Sequence, residues 1–329
     1  MKRRALLVAL GVSMLTNALP LRAQRTARPF RVGFVMGGGP GSDDSRRFLQ
    51  AFVEGMRAQG YRDGANLALA MRYYGRDQSA IPALADELIA WQPDVLVANV
   101  SSTAVILVKK TSTIPIVMVI AVDAVAEGLV KSLARPGGNL TGMSGPGTIA
   151  HAKLIELARD LLPRARRIAF LFNPGHALSK SYSAVAAQAA KALELEMVPL
   201  QVSGASDMEQ FADGLSLARP DALVVATDAV LFGLRDAIVQ TALKARLPTF
   251  AYLPEFAASG AVASLGWDLT TNYRGAARYV DRILKGAKPG DLPVEQPTQF
   301  ELVINLKSAK TIGMIIPPAM LVRANRVIE

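Results

Sequence analysis

The stretch Gln-Pro-Asp-Val-Leu-Val-Ala at residues 92–98 recurs as Arg-Pro-Asp-Ala-Leu-Val-Val at residues 219–225. Each copy is a Pro-Asp turn followed by a short apolar run, which is the pattern of a buried β-strand that opens after a turn. Two further pairs of apolar runs follow the same order, 32–35 with 168–171 and 114–116 with 247–249. Three pairs in one order predict that the chain contains two halves built alike.

Amphipathic helical patterns separate these apolar runs. Residues 47–60 and 81–89 carry apolar side chains three and four positions apart, so that one face of each segment is apolar. Short buried strands alternating with helices predict an α/β protein with two Rossmann-like lobes, each built on a parallel sheet. Such sheets bind ligands at the carboxyl ends of their strands, and two facing lobes form a cleft between them.

The first 23 residues have the features of a secretory signal peptide. Lys2, Arg3 and Arg4 precede a largely apolar run at 5–19, and a small residue, Ala23, marks the expected cleavage site. The run is shorter than the roughly 20 residues of a membrane-spanning helix. Because the 329-residue chain contains no cysteine, it has no lipidated cysteine, disulfide or thiolate metal site. We therefore expect export without a lipid anchor, into the periplasm if the cell is Gram-negative.

The positive charge of the chain does not indicate a nucleic-acid partner. Loss of the signal peptide removes four basic residues and lowers the formal charge from +10 to +6. The remaining basic residues are scattered, apart from Arg164, Arg166 and Arg167, which precede an apolar strand. A nucleic-acid face requires a broader basic stripe, so we expect no nucleic-acid binding.

The segment at residues 30–44 reads as strand, glycine loop and helix, the order found in nucleotide sites. However, Ser42 stands where the third fingerprint glycine belongs, and no Gly-Lys-Ser/Thr follows. Asp43 and Asp44 open the helix and would repel a phosphate. We predict no nucleotide cofactor. Met36 and Gly37 are instead candidate contacts of a small ligand at the cleft.

The sequence gives little support for catalysis. The two histidines, His151 and His176, lack a metal-like spacing, and no pair of carboxylates stands out as an acid and base. The residues around Ser144 lack the last glycine of a nucleophile elbow. We predict that the protein is not an enzyme and has no cofactor or metal. His151 is expected on the surface, whereas His176 could contact a ligand.

Two longer motifs resemble a known family. They are Gly-Leu-Val-Lys-Ser-Leu-Ala-Arg-Pro-Gly-Gly-Asn-Leu-Thr-Gly at 128–142 and Leu-Pro-Val-Glu-Gln-Pro-Thr at 292–298. The chain resembles the substrate-binding proteins of ABC transporters, whose best-understood members bind aromatic amino acids such as tryptophan or tyrosine. The resemblance covers essentially all of the mature chain. It implies a type I periplasmic-binding-protein clamshell with hinge segments near 144–147, 266–269 and 296–299. Lobe one would be 28–145 with 269–295, and lobe two 146–268 with 296–329.

The resemblance also implies a function. The protein would be the periplasmic solute-binding component of an ABC importer, a monomer that captures an amino acid or related small organic solute by hinge closure. It would deliver that solute to the ABC permease and its ATPase. The alternative is a sensor that presents its solute to a receptor kinase.

Candidate ligand contacts lie where strands end and helices begin. After the strand at 95–98, the hydroxyls and free N–H groups of Ser101, Ser102 and Thr103 could hold a ligand carboxylate. Asp123 follows the strand at 116–121 and matches the family's frequent Asp-Pro, although Ala124 replaces the proline. For Ser101, Ser102 and Thr103, simple helix capping is the alternative.

Lobe two offers a matching set of candidates. Thr227 and Asp228 occupy the repeat position equivalent to 101–102, and the carboxylate of Asp228 suits a ligand ammonium group, with helix capping again the alternative. The remaining candidates are polar or aromatic residues at strand ends and hinges: Ser144, Asn173, Tyr252 and Trp267.

Overall fold

The computed structural model describes residues 28–329. The signal peptide predicted at 1–23, with its cleavage after Ala23, lies outside the described residues. Among the described residues, no helix is both long enough and apolar enough to cross a membrane.

The first part of the chain forms a five-stranded parallel sheet with the strand order β2-β1-β3-β4-β5. Its elements are β1 (Phe30–Met36), α1 (Asp43–Ala58), β2 (Leu67–Tyr73), α2 (Ile81–Ala90), β3 (Val95–Ala98), α3 (Ser101–Lys110), β4 (Ile116–Ala121) and β5 (Leu140–Ser144). β3, in the middle of this sheet, is the strand of the first Pro-Asp repeat, and all four of its residues are buried.

The second part continues into a seven-stranded sheet with the order β12-β11-β10-β9-β8-β6-β7. Between β5 and the second crossing the elements are α4 (Ile149–Leu161), β6 (Arg167–Phe172), α5 (Ser179–Ala192), β7 (Glu196–Gln201), α6 (Met208–Ala218), β8 (Ala222–Val225), α7 (Ala229–Gly233), α8 (Arg235–Lys244), β9 (Thr249–Ala251), α9 (Pro254–Ala258) and β10 (Ala263–Gly266). The chain ends with α10 (Leu269–Leu284), β11 (Glu301–Asn305), α11 (Leu306–Ile312), α12 (Pro318–Arg323) and β12 (Arg326–Ile328).

The strand order β7-β6-β8-β9-β10 repeats the order β2-β1-β3-β4-β5, which confirms the predicted duplication. The three pairs of repeated segments correspond to β1 and β6, to β3 and β8, and to the starts of β4 and β9. The second sheet differs from a purely parallel one, because β11 runs antiparallel to β10, with Ala263 opposite Ile304. β11 is added beside β10 by chain returning from the other lobe, so no helical crossover sets its direction.

The chain passes between the two sheets three times. It leaves the first sheet after β5, and α10 returns to pack against α1, β4 and β5. The main chain then pairs with β5 again, where Ser144 N–H donates to Glu295 O, before β11 joins the second sheet. The predicted lobe boundaries at individual residues stay a prediction.

Gly142 in β5 shows why the first long motif needs a glycine. Its φ of +134° lies where L side chains are strained, and a Cβ would lie 2.1 Å from the carbonyl oxygen of Met118 in β4. Only glycine allows the two strands to approach at this position. The motif therefore encodes the packing of β5, which leads directly into the first crossing between the lobes.

Candidate functional site

The carboxyl ends of the strands in both sheets carry the polar groups singled out by the sequence. In lobe one these groups follow β1, β3 and β4, and in lobe two they follow β6, β8 and β9. Open parallel sheets bind ligands at this edge. We call these two edges, together with the segments that join them, the cleft.

The glycine loop after β1 is filled by a tyrosine. A Cβ on Gly37 would lie 2.7 Å from the hydroxyl oxygen of Tyr74. Burial raises the pKa of that hydroxyl, and Asn99 and Thr103 oppose the rise. Met36 is 1% exposed and belongs to the core, and its carbonyl accepts from Tyr74 N–H. The loop therefore positions Tyr74, and the side chain of Met36 points into the core. A ligand contact by Met36 or Gly37 stays a prediction.

The start of α3 is open at its N-terminus. Its N-cap residue, Val100, has no side chain that could cap the helix. The Ser101 hydroxyl accepts a hydrogen bond from Val122 N–H at 3.1 Å, and the Thr103 hydroxyl donates to Asn99 Oδ1 at 3.2 Å. The hydroxyl oxygen of Ser102 is buried and has no hydrogen-bond partner among residues 28–329. These side chains therefore do not cap α3, and the N-terminus of the helix can accept an anionic group.

The turn after β4 lies beside the first crossing. Asp123 Oδ1 accepts from Ala126 N–H at 3.0 Å, and the Ser144 hydroxyl accepts from Ala124 N–H at 3.1 Å. Glu127 lies in the same turn and was not singled out by the sequence. Burial raises the pKa of its carboxyl group, whereas a hydrogen bond from Ser101 opposes this change. Its Oε2 atom is buried and accepts no hydrogen bond from the part of the chain that the structure describes.

Asp228 caps α7 and faces the cleft. Its Oδ1 atom accepts from Val230 N–H at 2.7 Å and Leu231 N–H at 3.0 Å. Asn173 Nδ2 donates to both carboxylate oxygens, at 3.3 and 3.2 Å. Oδ1 is thus fully engaged, while Oδ2 has Asn173 as its only protein partner within the described residues. The capping alternative holds here, and it leaves one oxygen for a further donor.

His151 is buried, so the prediction of a surface histidine is wrong. Its Nε2 atom accepts from Thr227 N–H at 3.1 Å, which requires that Nδ1 carries the proton and donates to Thr148 O. Burial lowers its pKa to about 4. The backbone N–H at the end of β8 needs an acceptor, and the side chain from α4 supplies it.

Two further side chains of lobe two surround this point. Tyr182 of α5 is 1% exposed, and its ring centroid lies 4.3 Å from that of His151 and 5.1 Å from that of His176. Its hydroxyl is buried without a partner. Burial lowers the pKa of His176, and the charge of Asp228 acts in the opposite direction. Both imidazoles therefore favour the neutral form.

Groups from the two lobes face each other across the cleft. Burial raises the pKa of Tyr74 in lobe one, and the charge of Asp228 in lobe two adds to this increase. Burial likewise raises the pKa of Tyr182 in lobe two, with added contributions from Glu127, Asp228 and Asp123. The candidates on α3 and α7 and in the turn after β4 thus form one polar region.

The aromatic candidates pack together at the second and third crossings. The rings of Tyr252 and Trp267 are 5.2 Å apart, and Phe300 lies 6.5 and 6.2 Å from them. Trp267 Nε1 donates to Asn272 Oδ1 at 2.9 Å, and Asn272 Nδ2 donates to Val119 O in lobe one. Trp267 thus joins the lobes through Asn272. Stacking of Tyr252 or Trp267 on a ligand stays a prediction.

Two ion pairs join the lobes through α1. Asp44 of α1 pairs with Arg235 of α8 at 2.6 Å, and Arg47 of α1 pairs with Glu255 of α9. We call these contacts the rim pairs. Sequence reasoning placed Asp44 at a helix start, but it offered no signal for partners more than 190 residues away. Among residues 28–329, no three side chains are grouped so that they could hold a metal ion.

Known proteins of similar sequence and structure agree with this architecture. The chain matches the family described as ABC transporter substrate binding protein over residues 39–328. A tyrosine-binding protein of Clostridioides difficile (strain R20291) is 28% identical over 265 residues, covering 80% of this chain and 76% of the relative.

Two solved structures share the two-lobed fold. The crystal structure of a conserved domain protein from Vibrio cholerae superposes with a TM-score of 0.84 at 28% identity, covering 91% of this chain and 100% of that one. An ABC domain in complex with L-Trp from Streptococcus pneumonia gives a TM-score of 0.81 at 24% identity, with the same coverage. These likenesses confirm the predicted type I periplasmic-binding-protein fold. The family match spans most of the chain, and the chain therefore belongs to the ABC transporter substrate binding proteins.

Proposed function

We propose that the protein is the solute-binding component of an ABC importer that captures an amino acid or related small organic solute between its lobes. One observation carries the proposal: lobe one has an uncapped helix N-terminus after β3, and lobe two has a carboxylate at the equivalent position after β8. The start of α3 offers N–H groups and the unpartnered Ser102 hydroxyl. Asp228 offers Oδ2 beside Asn173. These two ends suit the carboxylate and the ammonium group of an amino acid.

Closure of the lobes around the solute follows from the same placement. A ligand that touches α3 and Asp228 together bridges the lobes, and it selects the closed form because only that form offers both contacts. The rim pairs add direct contacts between the lobes in the same form. The binding function uses no reacting group, so we propose a binding protein without catalytic turnover, exported to the periplasm as a monomer.

Substitution of Asp228 by asparagine tests the proposal. Asparagine caps helices as well as aspartate does, so Asp228→Asn should keep α7 while removing the charge that pairs with the ammonium group. We expect the affinity for the best amino acid in a thermal-shift and calorimetric screen to fall by about 2 kcal/mol or more. Asp228→Ala also removes the cap and should cost a further ~1 kcal/mol of stability. Unchanged affinity in Asp228→Asn would rule out this role of the carboxylate.

The downstream partner is tested in cells. For an importer, deletion of the gene should abolish uptake of the solute that the screen identifies, and so should deletion of the permease or ATPase gene. If uptake persists while a solute-dependent kinase response is lost, the protein is instead a sensor, the alternative left open by the sequence.

A further inference from the structure

Three buried polar atoms lie at the cleft away from the rim pairs and have no hydrogen-bond partner among residues 28–329: Ser102 Oγ, Glu127 Oε2 and the Tyr182 hydroxyl. A buried polar group without a partner costs about 1–3 kcal/mol, so a folded protein rarely leaves several of them close together. The proposed carboxylate at α3 accounts for Ser102. It leaves one atom from each lobe, and these two atoms need a different explanation.

Glu127 is fixed in place by lobe one. Its Oε1 atom accepts from Asp123 N–H at 3.4 Å, and the Ser101 hydroxyl, which accepts from Val122 N–H, opposes the rise in the pKa of the same carboxyl group. These contacts leave Oε2 buried and free. Burial raises the pKa of this carboxyl group, because a charged carboxylate is poorly solvated there. A positive charge placed beside Oε2 would relieve that cost.

Tyr182 is fixed in place by lobe two. Its ring contacts the imidazoles of His151 and His176, and its hydroxyl is left without a partner. Burial raises the pKa of this hydroxyl, and the charges of Glu127, Asp228 and Asp123 raise it further. Neither imidazole supplies a compensating charge, since burial lowers the pKa of both. At the rim, Arg47 and Arg235 are already paired with Glu255 and Asp44.

The charges at the cleft are therefore unbalanced. An amino acid with an uncharged side chain brings one ammonium group, which Asp228 takes, and one carboxylate, which α3 takes. Glu127 and Asp123 would remain without a cation. A neutral hydroxyl of the ligand would satisfy hydrogen bonds at Glu127 and Tyr182 but would not offset the negative charge of the Glu127 carboxylate. An ammonium or guanidinium group satisfies both, because it donates to each oxygen and carries the missing charge.

We propose that Glu127 and Tyr182, one from each lobe, form a subsite for a cationic group of the solute, so that the preferred solutes carry a net positive charge. A basic amino acid or an amine of similar size has this chemistry. This inference rests on the proposed function, since it requires the solute to lie between the lobes. Glu127 is then a specificity-determining residue.

The test compares cationic and neutral solutes on the purified mature protein by isothermal titration calorimetry. L-lysine, L-arginine and putrescine are the cationic probes, and L-leucine, L-tyrosine and L-tryptophan the neutral ones. We expect at least one cationic probe to bind at least about tenfold more tightly than every neutral probe. Glu127→Gln keeps the shape of the side chain and should weaken that cation about 30-fold or more. Tyr182→Phe, which removes only the hydroxyl, should weaken it about fivefold.

The exposed Glu209 on α6 provides the matched control. Glu209→Gln makes the same chemical change away from the cleft and should leave every dissociation constant unchanged. If neutral probes bind as tightly as the cationic ones, or if Glu127→Gln leaves the best cation unaffected, the inference is wrong. The proposed function would still stand in that case, provided that Asp228→Asn loses the solute. If no probe binds, both the inference and the proposed amino-acid function are overturned.

Discussion

At the scale of single residues, His151 couples the stability of the protein to pH. Its neutral ring accepts from Thr227 N–H and donates to Thr148 O, and protonation of Nε2 would place two donors face to face. Burial lowers its pKa to about 4, whereas an unfolded histidine titrates near 6.5. The unfolded chain therefore binds the proton first. We expect this contribution to be complete above about pH 6.5 and to be lost as the pH falls towards 4, by up to about 3 kcal/mol.

Urea unfolding at several pH values between 7.5 and 4.5 measures this contribution. His151→Gln cannot take up the proton, so its unfolding free energy should fall less steeply with decreasing pH than that of the wild type. His176, whose pKa is also lowered by burial, is present in both proteins, so the difference between the two profiles reports His151 together with its interaction with His176. Parallel pH profiles of the two proteins would show that His151 does not titrate in this range.

At the scale of elements, the first two turns of α1 connect the lobes through the rim pairs. Asp44 and Arg235 have 26% and 18% of their side chains exposed, so the pair is partly screened and should contribute about 1 kcal/mol. Because it joins two lobes, this energy favours the closed form. We expect Arg235→Gln to weaken solute binding about fivefold, and we expect the effect of the pair to diminish in high salt.

A double-mutant cycle with Asp44→Asn isolates the pair, since the second substitution should have little further effect once the first is made. The ion pair between Arg323 and Asp160 lies within lobe two. Arg323→Gln is therefore a matched control that removes an arginine without touching the rim, and it should leave the dissociation constant unchanged. Equal effects of Arg235→Gln and Arg323→Gln would refute a role of the pair in closure.

The elements also show how far the sequence could be interpreted. Repeated apolar runs predicted β3 and β8 correctly because strand patterns are local, and the sharp glycine requirement at Gly142 is visible in a motif. The contacts of the site are not local. Arg47 and Glu255 are separated by 208 residues, and His151 and Thr227 by 76. The residues near His151 in the sequence do not distinguish it from a surface histidine. The N–H group from which it accepts a hydrogen bond belongs to Thr227, which follows β8. A role for Glu127 and Tyr182 likewise cannot be predicted from the sequence, because it depends on how the two lobes lie relative to each other.

At the scale of the whole molecule, closure can be measured directly because the natural chain contains no cysteine. Gln50 on α1 and Gln240 on α8 are exposed and lie on the two helices that carry the first rim pair. Gln50→Cys with Gln240→Cys thus takes one nitroxide label on each lobe. We expect pulsed electron–electron distances to be longer and broadly distributed without solute, and shorter and narrow with saturating solute.

A pair of labels within lobe two, at Gln240 and Glu209, should give one distance in both conditions, since each lobe moves as a rigid body. Arg235→Gln in the labelled protein should shift the solute-free distribution further towards the long distances, because the open form has lost nothing and the closed form has lost an ion pair. This links the two scales quantitatively: the population shift and the loss of affinity should report the same free energy. If saturating solute leaves the distance between the lobes unchanged, the solute is bound without closure, and the rim pairs serve only to fix a rigid molecule.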